Sequence, residues 1–596
     1  MGTSGVASYR RLLPLVLSFV LAAGASEGAS GGGDAPAAPA GAYIAGRYAI
    51  VTSDYQAAAD YLTQALAGDP TNSDIAGSAL LSYIALGDWD RARAIAATLS
   101  LTKQTNSLVD LVTLAGLVQD EKYADAVAAL DKGRTAGPLV DGIFRGWALV
   151  GAGQMGDALK AFDKVAEDKG LRPFALQQKA LALASVGDFE AADKILSSDD
   201  AKAFAQSRRG LIAHAQILSQ LERDKDALKL LDEMAGPTPQ DRELASIRKA
   251  LVEGKTVPFT LIRSAKDGLA ELFLAVGSIL STEPAPKDLP PDQPRPQTAD
   301  VLMFARTAKY LRPDLADADL LIAATVQEQK QNALAISVLR QIDPAGPMGI
   351  EAQYGLANAL VSDGQLDEAI QVLKALTAAV PDRPDTWAAL GDVQRRAERY
   401  ADGADAYSRA LATIGAPKTE QWVLFYARGI CYERMKDWTK AEADFRKALE
   451  LSPDQPDVLN YLGYSLLEKT TNYTEALQMI AKAAKAVPDS GAIADSLGWA
   501  YYRTGDYPKA EAEMERAINL MPNDPVVNDH LGDVYWMVGR KTEAVFQWRR
   551  AQSFKPDPED AARIRRKLEV GLDAVLKEEA AKGGNGTAGS TTNGNG

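Results

Sequence analysis

Cysteine occurs once in the 596 residues, at Cys431, and histidine twice, at His214 and His530. A single cysteine makes no internal disulfide, and so few Cys and His side chains all but exclude zinc sites built from them, so neither a metal nor another cofactor is expected. Positive charge is also short. Against 65 Lys and Arg stand 79 Asp and Glu, a formal net charge of −14. Such a chain lacks the cationic footprint that a phosphate backbone requires, which argues against nucleic-acid binding. The apolar run Leu12–Ala23 falls short of the roughly 20 residues a membrane span needs. Gly31-Gly32-Gly33 has no strand before it, so there is no phosphate-cradling loop. What remains is ordinary for a globular protein: 46% apolar and 24% charged residues.

The first 25 residues have the layout of a secretory signal peptide. Arg10 and Arg11 precede the apolar run, and Ala23-Gly24-Ala25 supplies a small-x-small cleavage pattern. Residues 26–38 are mostly Gly, Ala, Ser and Pro and read as a flexible leader. The expected location is therefore the periplasm or cell envelope. An uncleaved N-terminus acting as a short anchor is the alternative, and no cysteine near the cleavage point is available for lipid attachment.

Internal periodicity dominates the rest. Leu462-Gly463, Leu497-Gly498 and Leu531-Gly532 recur at spacings of 35 and 34, and Leu390-Gly391 fits the same slot. About twelve residues later comes a small residue (Gly403, Ala441, Ala476, Ala510, Ala544), and about twelve further on a proline (Pro453, Pro488, Pro522, Pro556). In the N-terminal half the small-residue slot returns at Ala58, Ala92, Ala126, Ala158, Ala192 and Ala227. Gly87-Asp88-Trp89, Gly187-Asp188-Phe189 and Gly505-Asp506-Tyr507 read as turns between helices. Small residues let two helices approach, Gly-Asp stops the first, and proline ends the second. Each unit is thus a helical hairpin that buries its apolar face only against its neighbours.

These residues resemble the tetratricopeptide repeat family over nearly all of residues 39–556. Asn460-Tyr461-Leu462-Gly463-Tyr464, Asp495-Ser496-Leu497-Gly498-Trp499 and Asn528-Asp529-His530-Leu531-Gly532-Asp533 are similar to bacterial envelope members of it. The resemblance implies an all-α, right-handed superhelical solenoid of helix-turn-helix repeats, a general binding scaffold. The RNA-reading pentatricopeptide relative fits the acidic charge and the Leu-Gly slots less well.

The grid places an N-terminal solenoid at 39–253, an irregular Pro-rich junction at 254–300 and a C-terminal solenoid at 301–556. Regularity already fails from about residue 241: a single helix is expected over 241–253, an extended stretch over 255–262, and another helix over 268–281. Ser281–Gln297 holds six prolines in 17 residues. The region reads either as a flexion point or as an eroded repeat with an inserted loop. Residues 557–580 read as one capping helix with an apolar stripe of Ile564, Leu568, Leu572 and Val575, and 581–596 as a disordered tail.

His214, His530 and Cys431 all sit in packing helices and read as fillers rather than catalytic groups. No segment outside the repeats is long enough for a catalytic domain, and the protein is not expected to be an enzyme. The family's groove positions fall on Asp385, Asp392, Arg395, Tyr426, Asn460, Tyr464, Asp495, Trp499, Tyr502, Asp529, Asp533 and Trp536. Aromatics give contact area at low entropic cost, Asn can satisfy a ligand backbone, and the acids favour a basic peptide. In the N-terminal half the same positions are apolar: Leu81, Ile84, Leu111, Ile143 and Trp147. That calls for a greasy partner, self-association or closure of the superhelix on itself. The expected role is a scaffold or adaptor binding proteins or peptides in the envelope. A part in a secretion or polysaccharide-export assembly is the alternative, and an enzyme using the groove acids a more distant one. Membrane association would need the uncleaved N-terminus or a partner.

Overall fold

The computed structural model describes residues 40–101, 106–286, 288–290 and 295–583. The expected signal peptide and leader, and the tail from residue 584, lie outside the described residues. Among the described residues there are helices, turns and loops, and no strand. The fold is an all-α solenoid in which consecutive helices pack as hairpins. No helix among these residues is long and apolar enough to cross a membrane.

The chain divides into two compact units, Met1–Val372 and Leu373–Gly596. The first unit carries hairpins at Ala40–Val51/Tyr55–Gly68, Ser73–Leu86/Trp89–Leu101, Ser107–Gln119/Tyr123–Asp131, Asp141–Gly151/Met155–Ala166, Arg172–Ser185/Phe189–Leu196 and Arg208–Gln220/Asp224–Ala235. The second carries Pro384–Arg396/Tyr400–Ile414, Trp422–Arg434/Trp438–Leu451, Pro456–Lys469/Tyr473–Ala486, Gly491–Thr504/Tyr507–Leu520 and Pro525–Met537/Lys541–Ser553. Residues 254–300 lie inside the first unit, which continues beyond them through Thr298–Leu311, Ala316–Glu328, Asn332–Leu339 and Gly349–Ser362.

The periodic slots have direct physical counterparts. A Cβ placed on Gly146 would lie 2.5 Å from Phe162, on Gly391 2.8 Å from Tyr407, on Gly429 2.6 Å from Phe445, and on Gly463 2.7 Å from Ile480. On Gly498 it would lie 2.8 Å from Met514, and on Gly532 2.4 Å from Trp548. In each of these six hairpins the glycine of the first helix receives a large side chain of the second, which is how the pair closes without a gap. The expected turns are built as read. Gly505 ends its helix in the left-handed conformation, and the Asp506 carboxylate accepts from the Lys509 backbone N–H at 3.4 Å.

The C-terminal element differs from the single capping helix of 557–580. Helix Pro558–Val570 stops at Gly571, with φ of 80°, and helix Leu572–Gly583 turns back along it. Arg563 meets Glu579 at 2.8 Å and Arg566 meets Glu578 at 2.6 Å across this hairpin. The glycine permits the turn where any Cβ would strike the Trp536 ring at 2.7 Å. Ile564, Leu572 and Val575 are buried as the stripe required. Helix persists to Gly583, so 581–583 of the expected tail are helical.

Candidate functional site

First helices of neighbouring hairpins touch one another: Pro384–Arg396 meets Trp422–Arg434, Pro456–Lys469 meets Gly491–Thr504, and the latter meets Pro525–Met537. They form an inner layer, with the second helices outside. Groove positions belong to the uncovered side of that layer, so the question is what already lies against it.

In the first unit it is the chain itself. Helix Ala265–Ser281 packs on Asp141–Gly151 and Arg172–Ser185, and Thr298–Leu311 packs on Ser73–Leu86 and Ser107–Gln119. Gly268 sits so tightly on Trp147 that a Cβ there would be 2.3 Å from the indole. Phe144, Phe273 and Phe304 continue the contact, with ring centroids 6.3 and 6.0 Å apart. Trp89 and Tyr310 stack at 4.1 Å, and Arg306 Nε donates to the Ala85 carbonyl at 2.8 Å. Ile84, Leu111, Ile143 and Trp147 are buried and Leu81 half-buried. Of the readings opened by this apolar groove, closure on itself is the one observed.

One repeat further, the extended stretch after Gly254 is held as a peptide would be. Gln216 accepts from the Thr260 backbone N–H at 3.0 Å and donates to its hydroxyl at 3.0 Å. Ser219 accepts from the Val257 N–H at 2.9 Å, and Gln220 donates to the Val257 carbonyl at 2.8 Å. Side chains of one inner helix thereby satisfy an unpaired backbone. Sequence reading missed Gln216, Ser219 and Gln220 as a set, though their spacing on one helix face was visible.

In the second unit the C-terminal groove positions form a closed charged cluster. Lys567 Nζ, with no exposed side-chain surface, lies 2.8 and 2.9 Å from the Asp529 oxygens and 2.6 Å from Asp533 Oδ1. Arg563 stands 3.3 Å from Asp533, and Trp548 Nε1 donates to the same carboxylate at 2.9 Å. Burial pushes the Asp533 carboxyl up, but Lys567 and Arg563 outweigh it and hold the group below its ordinary range. For Asp529 burial wins and the shift is upward. His530 Nδ1 meets Asp495 at 3.0 Å, and the Trp499 indole stacks on the imidazole at 4.1 Å and on Tyr502 at 4.6 Å. Burial alone would lower the His530 pKa, but Asp495 outweighs it and the net shift is upward. Trp499 also donates to Glu468 at 2.9 Å, and Trp536 to Asp573 at 3.0 Å. Asp495, Trp499, Asp529, Asp533 and Trp536 are thus all engaged within the unit.

The N-terminal groove positions of this unit are different. Asp392 and Asp385 are exposed, the first accepting from the Tyr407 hydroxyl at 2.7 Å and the second paired with Arg383 at 2.5 Å. Tyr426 is half-buried among Trp422, Phe445 and Tyr461, and burial pushes its phenol up to about 12. Asn460 and Tyr464 follow on the next first helix, both half-buried. Arg395 Nε and Asn460 Oδ1 are enclosed with no hydrogen-bond partner, a costly arrangement for polar atoms.

The remaining candidates are structural. His214 is buried and meets Asp193 at 2.8 Å. Cys431 is buried against Gly403, and burial pushes its thiol up to about 12, far from a reactive thiolate. Among the described residues no group of His, Cys, Asp and Glu has metal-holding geometry.

Known proteins agree with this architecture. Tetratricopeptide repeat models match residues 52–113 and 326–393, residues 422–455, and residues 493–524. The chain carries tetratricopeptide repeats. It is 34% identical over 185 residues to a TPR repeat-containing protein of Pseudomonas aeruginosa, an alignment covering 31% of each chain. It is 36% identical over 83 residues to the E3 ubiquitin-protein ligase CHIP of Arabidopsis thaliana, covering 14% of this chain and 28% of that one. The chain therefore spans under a third of either relative. Among solved structures, the Cut9 and Hcn1 assembly of the APC/C is similar at 16% identity and a TM-score of 0.36, over 89% of this chain and 96% of that one. YrrB, described as a TPR protein with an unusual peptide-binding site, is similar at 18% identity and a TM-score of 0.26, over 34% of this chain and 95% of that one.

Proposed function

We propose that this protein is a non-catalytic interaction scaffold of the bacterial cell envelope, and that it takes a partner polypeptide along the first helices between Pro384 and Lys469. Tetratricopeptide repeats serve as protein-protein interaction scaffolds, and that much belongs to the repeats themselves. The observation that carries the finer reading is the contrast along the inner layer. Where Gln216 and its neighbours meet an extended backbone, amide and backbone satisfy each other. On the first helices between Pro384 and Lys469, Asp392 is exposed and Arg395, Tyr426, Asn460 and Tyr464 are only half-buried. A peptide laid across Asp392, Arg395, Tyr426, Asn460 and Tyr464 would supply donors and acceptors, with the two aromatics giving apolar contact.

The envelope assignment rests on the charge, apolar and small-residue order of residues 1–25. Fractionation with N-terminal sequencing tests it: the mature chain should begin near Ser26, and an intact Met1 on a cytoplasmic form refutes it. For the groove, an Asn460→Ala/Tyr464→Ala chain should keep its helicity and lose partners captured by wild type from envelope extract. An unchanged captured set refutes the assignment.

A further inference from the structure

The C-terminal hairpin is seated on its neighbour by Ile564, Leu572 and Val575 and by a buried charge cluster. Helix Pro558–Val570 buries only Ile564 and Lys567 fully, and the ammonium of Lys567 is the better enclosed. Around it stand Asp529 and Asp533, both at hydrogen-bonding distance, with the Trp548 ring 5.8 Å away. Arg563, one helical turn earlier, bridges Asp533 at 3.3 Å and Glu579 at 2.8 Å. Desolvating such ions offsets most of their mutual attraction, so a buried pair holds an element in place with little net stability. A terminal hairpin held in part this way belongs among the elements that open ahead of the global fold. Beneath it lies a surface with the chemistry of a binding site: Asp529 and Asp533 flanked by Trp536, with Tyr502 close enough to Asp533 to feel its charge.

We propose that hairpin 558–583 is a detachable ligand held in cis. The face beneath it is a docking surface for a cationic amphipathic helix of a partner, with basic side chains four residues apart as Arg563 and Lys567 are, and apolar ones beside them as Ile564 and Leu568 are. This rests on the reading of the chain as a protein-binding scaffold and adds a second, covered surface to the open one. Charge complementarity selects the occupant: two acids in an aromatic setting match a Lys and an Arg on one helix face and repel an acidic segment.

The test uses the full chain and a synthetic, fluorescently labelled peptide of residues 558–583. The chain carrying Arg563→Ala and Lys567→Ala should bind this peptide in trans at least tenfold more tightly than wild type, whose site is already filled. Binding should weaken with salt and vanish for a peptide with both bases changed to Met. A second peptide keeping only Arg563, Ile564, Lys567 and Leu568 in an alanine helix should still bind. A folded double variant that binds no peptide, or that binds the charge-free peptide equally, overturns the proposal. Should the double variant fail to fold, hydrogen exchange on wild type decides. Amides of 558–583 should exchange ahead of 525–553, with the gap widening as salt rises, and exchange in step at every salt concentration overturns it. Partner capture through Asn460 is read separately, so failure here leaves that outcome distinguishable.

Discussion

Two glycines of the first unit should respond to the same substitution with opposite sign. Gly146 and Gly77 both lie within first helices, Asp141–Gly151 and Ser73–Leu86. Alanine in a helix interior is favoured over glycine by about 1 kcal/mol. At Gly77 a Cβ meets nothing within 4 Å, so that gain should appear almost whole. At Gly146 the same Cβ would stand 2.5, 2.6 and 2.9 Å from three atoms of the Phe162 ring. Phe162 is fully buried, and its ring meets Trp147 edge-on at 6.0 Å, so it has no free direction of retreat. Overpacking of this kind costs about 1–3 kcal/mol, which exceeds the helix gain over most of that range. Gly77→Ala should therefore raise the thermal midpoint of the first unit and Gly146→Ala lower it, measured on the full chain by circular dichroism. Adding Phe162→Leu to Gly146→Ala gives an independent check. The smaller side chain vacates the clash, so the two changes should couple by more than about 0.5 kcal/mol. Shifts of one sign for both glycines, or strict additivity in the pair, would refute the assignment of this slot to helix approach.

Trp499, read from sequence as a groove aromatic, is buried between His530 and Tyr502, so Trp499→Ala should cost stability of about 3–5 kcal/mol and lower the melting of the second unit. Gln216→Ala should release the extended stretch after Gly254, seen as faster amide exchange at Thr260 with the surrounding helices protected as before. The His530 shift has a defined sign: a histidine whose folded pKa is raised adds stability that is complete below its unfolded value of about 6.5 and is lost as pH rises through the folded value. The melting difference between wild type and His530→Asn should accordingly shrink as pH climbs above about 6.5, and a difference that grows would contradict the Asp495 pairing.

The fold was legible because it depends on residue type at a fixed period. A Leu-Gly pair followed about twelve residues later by a small residue is a local, self-repeating instruction, and at Gly391, Gly463, Gly498 and Gly532 the glycine receives a large side chain from sixteen or seventeen residues on. The turn at Gly571 was missed because Leu568, Leu572 and Val575 keep helical spacing straight through it, and amphipathic spacing is silent about one positive φ between two helices. Groove positions were legible as positions and not as free surface. Trp147, Asp529 and Asn460 are all groove positions on first helices, yet one is sealed by Gly268, one by Lys567, and one keeps a buried oxygen without a partner. What differs is which distant segment returns to cover the slot. For the first the covering helix comes 121 residues later in sequence, and for the second it comes 38 later. The residue types still recorded the outcome. Apolar slots met an apolar helix, acidic slots a basic one, and Gln216 an unpaired backbone, so each slot carries the complement of its own cover. On the proposal made above, the mixed polar and aromatic run from Asp392 to Tyr464 would by the same logic suit an extended chain with amide groups to pair and at least one side chain broad enough to lie against Tyr426.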